Sequence, residues 1–307
     1  MKSIKKVLIC GLGAIGSIYA VKISRNKDVE LKILVDKTRI EKYKKQPLVF
    51  NNEEYSFDYI LPQTNDFVAD LVIIATKNNA LDDAIKNIRN FVDKDTILIS
   101  LLNGLKSEDV LSKIYGPSNV LYSYYIGHTS TRIDRNIIHD NIYKTVFGEK
   151  HNNVYSKNVV LLKDFFEKVS INYEIPEDMD YSRWWKFLVN VGYNQASAVL
   201  NASYGDFQNS EKVNQIAIEL MKETVCVAKA EGVKNTDKLI PEVLDVIKTM
   251  LPETRTSMLQ DVDAKRSTEV DIFAGYVSEL GKKHNIPTPY NNIFLEIIKA
   301  IDEKNLY

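Results

Sequence analysis

Residues 6–16 read Lys-Val-Leu-Ile-Cys-Gly-Leu-Gly-Ala-Ile-Gly, a short apolar run that leads directly into three glycines. The run and the residues after it predict a strand, a tight turn and a helix start, the context in which G-x-G-x-x-G is informative. In such a loop Gly11 permits the turn and Gly13 lets a pyrophosphate approach the backbone. Gly16 lets the helix pack closely against the strand.

The helix that follows this loop provides unpaired N–H groups and a partial positive charge at its N-terminus, and both attract phosphate. The loop is therefore predicted to bind a nicotinamide or flavin dinucleotide through Gly11, Leu12, Gly13, Ala14, Ile15 and Gly16.

Two residues near the end of the second predicted strand bear on which dinucleotide binds. Asp36 stands where an acid accepts hydrogen bonds from the adenosine ribose and favours NAD. Arg39 follows closely, and a guanidinium there could hold a 2′-phosphate instead. The sequence leaves both cofactors open.

The first half of the chain alternates apolar runs with helical patterns, for example at 80–91 and 107–114. This alternation predicts an α/β fold, with a doubly wound and mostly parallel sheet of the Rossmann type covered on both faces. The predicted strands are 6–10, 29–35, 70–75, 96–102, 120–126 and 142–147.

The pattern changes after about residue 175, where the polar stretch from Pro176 to Asp180 predicts a linker. Beyond it the apolar residues recur at helical spacing and no strand pattern stands out. We therefore expect a dinucleotide-binding domain over residues 1–176 and an all-helical domain, carrying substrate and catalytic residues, over 177–307.

Composition excludes several classes of function. The net charge of −1 gives no electrostatic reason to bind nucleic acid or an anionic membrane. Two distant cysteines and a strand that begins within about five residues of Met1 favour a cytoplasmic protein without a signal peptide. The four histidines are His128, His139, His151 and His284. Their spacing is not that of metal ligands, so no metal site is expected.

Two further positions follow predicted strands, at the sheet edge where ligands bind in open parallel sheets. Lys77, after Thr76, could reach a phosphate or a substrate carboxylate, or it could be a solvated loop residue. Asn103 could bind the nicotinamide end of a cofactor, although Asn103-Gly104 is also a common turn pair.

The most informative stretch of the second half runs from Trp184 to Asn194. Lys186, Asn190 and Asn194 are spaced i, i+4 and i+8, so on one α-helix they would drift by only about 80° and share a face. Their neighbours are mostly apolar, which predicts burial. Buried polar groups need partners, and an active-site cleft supplies them. Partial burial also suits a lysine for general acid catalysis.

A second cluster lies between residues 256 and 271. Ser257 and Gln260 fit a capping box, and Thr268 is expected to cap the next helix. Glu269 is expected to head one helical stripe with Phe273 and the apolar positions 276 and 280. We also expect an ordinary i, i+4 pair between Asp261 and Lys265.

Together these residues resemble the ketopantoate reductase family, the 2-dehydropantoate 2-reductases, over almost the whole chain. The resemblance rests on the glycine loop, Thr76-Lys77, Asn103-Gly104, the Lys186/Asn190/Asn194 spacing and the run from Ser257 to Asp271. It implies NADP(H) as the cofactor and a small 2-keto acid as the substrate. The chain departs from some members at Tyr204, where they carry Asn, which suggests an altered substrate pocket.

The resemblance also implies roles. Lys186 would protonate the forming alkoxide, and Glu269 would accept a hydrogen bond from a substrate hydroxyl, contact the cofactor and pair with Lys186 in the empty site. Asn190, Asn194 and Ser257 would orient the substrate. Asn103 would bridge substrate and nicotinamide, and Lys77 would line their junction, in a site expected between the domains.

Two other interpretations stay open. Asp36 also suits an NAD-dependent D-2-hydroxyacid dehydrogenase that acts on other 2-keto acids. A dinucleotide-binding regulator without catalysis is a third possibility, although the polar site residues are all retained. An apolar face on a C-terminal helix could serve a homodimer.

Overall fold

A computed structural model describes residues 3–127, 130–133 and 135–305, so His128 lies outside the described residues. The chain forms two compact units, Met1–Met179 and Asp180–Tyr307. The first unit contains the strands and five helices of the described chain, and the second is helical.

Six of the described strands overlap the six predicted runs, and the other six, each of two to four residues, were not predicted. The strands are β1 Lys6–Cys10, β2 Glu30–Leu34, β3 Leu48–Phe50, β4 Glu53–Tyr55, β5 Asp58–Ile60, β6 Leu71–Ile74, β7 Ile97–Ser100, β8 Val120–Gly127, β9 Ser130–Ile133, β10 Asn136–His139, β11 Tyr143–Gly148 and β12 Tyr173–Glu174.

The larger sheet has the order β12-β11-β8-β7-β6-β1-β2-β5. The six strands from β8 to β5 are parallel, whereas β11 runs antiparallel to β8. The chain leaves β1 for β2 on one side and returns to β6 on the other, so the strand order reverses beside β1. In doubly wound sheets, ligands bind at this point, outside the carboxyl ends of the strands.

Both faces of this sheet are covered by apolar side chains. Val7 and Ile9 belong to one buried cluster, and Leu8 and Cys10 belong to another on the opposite face. This alternation explains why β1 reads as a continuous apolar run. The predicted α/β class, with a mainly parallel sheet followed by a helical region, is confirmed.

Five of the described α-helices lie in the first unit, and the others make up most of the second unit. The helices are α1 Ala14–Ser24, α2 Lys37–Lys45, α3 Leu81–Ile88, α4 Ser107–Tyr115, α5 Lys157–Lys168, α6 Met179–Val189, α7 Gln195–Leu200, α8 Tyr204–Asn209, α9 Glu211–Ala230, α10 Leu239–Thr249, α11 Ser257–Asp263, α12 Ala274–His284 and α13 Pro289–Lys304.

Two features differ from the sequence-based expectations. A second sheet of order β4-β3-β10-β9 was not predicted, because its strands have only three or four residues and β4 is largely exposed. The segment after Pro176 is not a free linker. Asn152 Nδ2 donates to Pro176 O at 2.8 Å, and Asn152 N donates to Glu177 O at 2.9 Å.

Candidate active site

The glycine loop joins β1 to α1 against the end of β6. Gly11 has φ +103°, and a Cβ there would lie 2.6 Å from Ala75 O. A Cβ on Gly16 would lie 2.0 Å from Gly11 O and 3.2 Å from Ala75 Cβ. Both positions therefore require glycine because of the fold itself.

Gly13 differs from its two neighbours. It has no positive φ, and the nearest atom to an added Cβ would be Ala75 O at 3.9 Å. Gly13 is the N-cap of α1, whose first turn has no side-chain cap and no acidic residue. The first-turn N–H groups are therefore available to an anion, and the open space beside Gly13 lets it approach them.

The loops after β6 and β7 lie together beside the glycine loop. Asn78 Nδ2 donates to Asn103 O at 3.2 Å, which joins the two loops. Lys77 is exposed and caps a short 3₁₀ turn, Asn78–Ala80. Thr76 Oγ1 is buried without a hydrogen-bond partner in the described part of the chain. An orphaned hydroxyl beside an uncapped helix start and an open Gly13 fits a dinucleotide's phosphates and sugars.

Asp36 and Arg39 lie after β2, where the cofactor's adenosine end was expected. Asp36 is the N-cap of α2: its Oδ1 accepts from Arg39 N at 2.8 Å, and its Oδ2 lies 3.4 Å from Arg39 Nε. Both side chains remain exposed, at 59% and 62%. A carboxylate and a guanidinium therefore lie side by side on the surface after β2.

Cys10, which precedes the glycine loop, plays no part in this chemistry. Burial is the main cause that raises its pKa to about 12, against a smaller opposing effect of Arg39. Its thiol therefore stays protonated and is a poor nucleophile.

The helical unit contains Lys186 on α6, one α-turn before Asn190. Burial lowers the pKa of Lys186 from 10.5 to about 8. Desolvation is the cause of this shift, because removing water from an ammonium group destabilises its charged form. The implied pairing of Lys186 with Glu269 stays a prediction.

Asn190 and Asn194 are 3% and 7% exposed and contact each other. Asn194 Nδ2 donates to Asn190 Oδ1 at 2.8 Å, and Ser257 Oγ lies 3.4 Å from Asn194 Oδ1, a long hydrogen bond. Asn190 accepts through Oδ1, so in the described structure its amide NH₂ group is left for a ligand. Ser257, Asn194 and Asn190 thus form one polar line.

The expectation of a single α-helix through these residues is wrong. Asn190–Asn194 is a π-helix between α6 and α7. A π turn contains more residues than an α turn and rotates less per residue. Its close approach to α9 depends on Gly192, where a Cβ would lie 2.7 Å from Met221 Cγ. The sequence pattern cannot show this, because it depends on α9 as a neighbour.

Three local expectations between residues 256 and 271 are also wrong. Thr256, not Ser257, caps α11, accepting from Leu259 N at 3.4 Å, so the Ser257 hydroxyl is free to face Asn194. Asp261 pairs with Arg266, at 2.7 Å, instead of Lys265. Thr268 caps no helix, and its N and Oγ1 donate to the Asp302 carboxylate.

Glu269 is partly buried and does not head a continuous helical stripe. It precedes a 3₁₀ turn, Val270–Ile272, and α12 begins only at Ala274 after Phe273 with φ −105° and ψ −90°. The break explains why spacing alone misplaced Glu269 relative to Phe273 and the helix beyond.

Sequence comparison places this chain in a known family. A family described as "Ketopantoate reductase PanE/ApbA" matches residues 7–152, and its C-terminal counterpart matches residues 178–302. The chain belongs to the ketopantoate reductase family. The family and enzyme predictions, an oxidoreductase of this type, are thereby confirmed.

Curated relatives cover nearly the full length. A 2-dehydropantoate 2-reductase from Streptococcus pyogenes serotype M6 is 28% identical over 302 residues, covering 96% of this chain and 97% of the relative. One from Nostoc sp. is 26% identical over 314 residues, covering 98% and 96%.

Solved structures share the fold. A D-mandelate dehydrogenase with NADH and anilino(oxo)acetate superposes with a TM-score of 0.85 at 22% identity, covering 98% of this chain and 100% of that one. A ketopantoate reductase from Ralstonia eutropha JMP134 gives 0.81, also at 22% identity, with coverage of 98% and 100%.

The sequence patterns did not single out three side chains near the candidate residues of the two units: Thr76, Asn78 and Gln195. Thr76 was noted only as the neighbour of Lys77, and its buried, unpartnered hydroxyl is a tertiary property. Asn78 follows Lys77 directly, so its position after the strand and its polar side chain were a signal that could have marked it. Gln195 follows Asn194 but looks like an ordinary helix former, so no local signal marks it.

No group of three His, Cys, Asp or Glu side chains among the described residues could hold a metal ion. None of the described helices is long and apolar enough to cross a membrane.

The contrast between Gly13 and Gly16 generates a prediction. Gly13→Ala should leave the thermal midpoint within a few degrees of wild type but weaken cofactor binding about tenfold or more, because its Cβ fills space needed by the pyrophosphate and not by the fold. Gly16→Ala should instead lower the free energy of unfolding by about 1–3 kcal/mol through overpacking. Thermal unfolding and fluorescence titration with NADPH and NADH would measure both. A large loss of stability in Gly13→Ala would contradict the assignment.

Proposed function

We propose that this protein reduces the keto group of 2-dehydropantoate to (R)-pantoate, with NADPH as the hydride donor, in the synthesis of pantothenate and coenzyme A. Membership of the ketopantoate reductase family and near-complete coverage by curated reductases support the substrate class. The single observation that carries the mechanism is a partly buried lysine with a lowered pKa, on the helix that leads into two buried carboxamides, Asn190 and Asn194.

Lys186 is the proton donor in this proposal. A pKa of about 8 keeps the ammonium largely protonated at neutral pH while making it a better acid than an exposed lysine. As the keto carbon is reduced, negative charge develops on its oxygen. The Lys186 ammonium stabilises that charge and then transfers one proton to form the hydroxyl.

Asn190, Asn194 and Ser257 orient the substrate in this proposal. The Ser257–Asn194–Asn190 line is fixed before substrate arrives, so little freedom is lost on binding. The amide NH₂ group of Asn190 donates to a substrate oxygen. Glu269 accepts a hydrogen bond from the substrate hydroxyl that distinguishes 2-dehydropantoate from simple 2-keto acids.

The glycine loop holds the cofactor's pyrophosphate, with Leu12, Ala14 and Ile15 providing backbone around the three glycines. Lys77 and Asn103 lie at the nicotinamide end, and Glu269 contacts the cofactor as well as the substrate. Bound NADPH supplies the hydride, and the residues of this chain supply orientation, charge and the proton.

A second candidate function is an NAD-dependent D-2-hydroxyacid dehydrogenase. The exposed carboxylate of Asp36 favours NAD, because it would repel a 2′-phosphate. Arg39 at 3.4 Å partly neutralises it and would bind that phosphate, which favours NADPH. A non-catalytic regulator is less well supported, because the proposed polar residues are all retained.

The substrate and cofactor are tested together by steady-state kinetics. We expect the highest kcat/KM for 2-dehydropantoate with NADPH, compared with branched and aromatic 2-keto acids and with NADH. A better 2-keto acid among the alternatives would remove the ketopantoate assignment, and a preference for NADH would support the second candidate.

The variant Arg39→Gln tests whether Arg39 determines the choice of cofactor. It should raise the KM for NADPH about tenfold or more, the size expected for one charge-assisted hydrogen bond, and leave the KM for NADH nearly unchanged. Equal effects on both cofactors would show that Arg39 does not bind the 2′-phosphate.

The role of Lys186 predicts a pH dependence. Because the acid form is required, kcat should fall as pH rises through about 8, the pKa of the buried ammonium. Lys186→Ala should lower kcat by at least about 10²-fold. Lys186→Arg should also be slow but should lose the break near pH 8, since a guanidinium does not titrate there. An unchanged kcat in Lys186→Ala would remove this residue from the mechanism.

We also propose a cytoplasmic location and a homodimer. Both cysteines are free, which suits a reducing compartment. A structural neighbour from Staphylococcus aureus is described as a dimeric ketopantoate reductase. On α13, Tyr290, Ile293 and Ile297 share one face and are 40%, 56% and 37% exposed, an apolar stripe suited to a second copy.

Sedimentation equilibrium tests the dimer. The wild type should sediment at twice the mass of one chain, and Ile293→Glu should shift it to the monomer, because a buried unpaired charge destabilises an interface. Val154→Glu, at another exposed apolar residue (85%), should leave the mass unchanged. A monomeric wild type would exclude the proposal.

A further inference from the structure

We propose that Gln195 is a positioning residue that fixes the segment carrying Glu269 relative to Asn190 and Asn194. This inference rests on the proposed function, because it assigns Gln195 a part in arranging that site. Gln195 is fully buried and follows Asn194 directly, as the first residue of α7.

The Gln195 carboxamide uses both ends. Its Oε1 accepts from Ala274 N at 2.9 Å, a bond between residues 79 positions apart. Its Nε2 donates to Val191 O at 2.7 Å, inside the π segment, and lies 3.5 Å from Asn291 Oδ1 on α13. One buried side chain thus links the π segment to the start of α12.

The bond to Ala274 replaces a missing helix cap. The N-cap of α12 is Phe273, whose apolar side chain caps nothing. The first N–H groups of a helix have no partner within it, and a buried donor left unpaired costs about 1–3 kcal/mol. Gln195 satisfies the Ala274 N–H from a different helix, which ties the beginning of α12 to α7.

The other end of the segment is anchored as well. Thr268 N and Oγ1 donate to the Asp302 carboxylate on α13, at 3.1 Å and 2.8 Å to Oδ2. Only residues 269–273 lie between these two anchors. Glu269 is therefore held on a short segment whose far end is fixed by Gln195.

The bond from Gln195 Nε2 to Val191 O stabilises the π segment that carries Asn190 and Asn194, the residues proposed to orient the substrate. A π turn interrupts the regular backbone ladder of a helix, and a side chain that bonds a carbonyl there stabilises the irregular turn. Asn190 and Asn194 bound this turn. Because the same carboxamide bonds both Val191 and Ala274, a change at Gln195 should disturb the carboxamide pair and Glu269 together.

Gln195→Met tests this role by keeping the length of the side chain and removing both polar atoms. Gln208→Met is the control, because Gln208 Nε2 also donates to two backbone carbonyls, Ile247 O and Met250 O at 2.8 Å each, and these bonds join α8 to the end of α10 instead of to residues 268–274. Both variants should lower the thermal midpoint. Only Gln195→Met should lower kcat/KM for 2-dehydropantoate, by about tenfold to a hundredfold.

A double-mutant cycle with Glu269→Gln supplies a readout that lost stability alone would not change. If Gln195 acts by placing Glu269, Gln195→Met should reduce kcat/KM much less in the Glu269→Gln background than in the wild type. Gln208→Met should be additive with Glu269→Gln. An additive result for Gln195→Met would overturn the inference. If that variant does not fold, Gln195→Asn, which keeps a carboxamide but is one methylene too short to reach Ala274 N, replaces it in the same cycle.

Amide hydrogen exchange separates this inference from the proposed function. Gln195→Met should accelerate exchange at Ala274 and across 269–273, and Gln208→Met should not. If the wild type reduced no 2-keto acid with either cofactor, the proposed function would be wrong. If Gln195→Met left amide exchange at Ala274 unchanged, the anchoring role of Gln195 would be wrong, whatever the activity. If the wild type is active but Gln195→Met and Glu269→Gln have additive effects, the role of Gln195 is rejected and the proposed function is not.

Discussion

The proposed catalysis depends on one physical effect, the desolvation of the Lys186 ammonium. Removing water from a cation destabilises its charged form, and here burial brings the pKa from 10.5 to about 8. An adjacent carboxylate would reverse this effect. Asn190 and Asn194 follow on the same helical segment, and their carboxamides add no net charge. In the proposed mechanism these uncharged side chains leave the lowered pKa of Lys186 unchanged.

Burial of so many polar groups in the helical unit is costly unless each finds a partner. The protein meets this requirement with side-chain hydrogen bonds, both within the π segment and from it to the start of α12. Asn194 bonds Asn190, and Gln195 bonds Val191 O and Ala274 N. These bonds also restrict the side chains to one arrangement, so the network that makes burial tolerable is the one that shapes the site.

The α/β unit solves a different problem with the backbone. Its loop needs glycine at Gly11 and Gly16 because carbonyl oxygens approach closely, whereas Gly13 is free of such contacts. A glycine that the fold does not require is best explained by a ligand. The buried, unpartnered Thr76 hydroxyl points to the same conclusion from an independent observation.

The sequence by itself determined the fold class, the main parallel strands, the helical second half and the family, because apolar runs, glycine spacing and the Lys/Asn series are local patterns. It also singled out most candidate site residues. Only the tertiary structure decided the π turn at Asn190–Asn194, the Thr256 cap, the Asp261–Arg266 pair and the anchoring of Ala274 by Gln195. The π turn and the Gln195 bond depend on residues distant along the chain, and the cap and the ion pair depend on local backbone geometry that spacing does not specify. A hydrogen bond forms between groups that are close in space, and the spacing of residues along the sequence does not specify which distant groups become close.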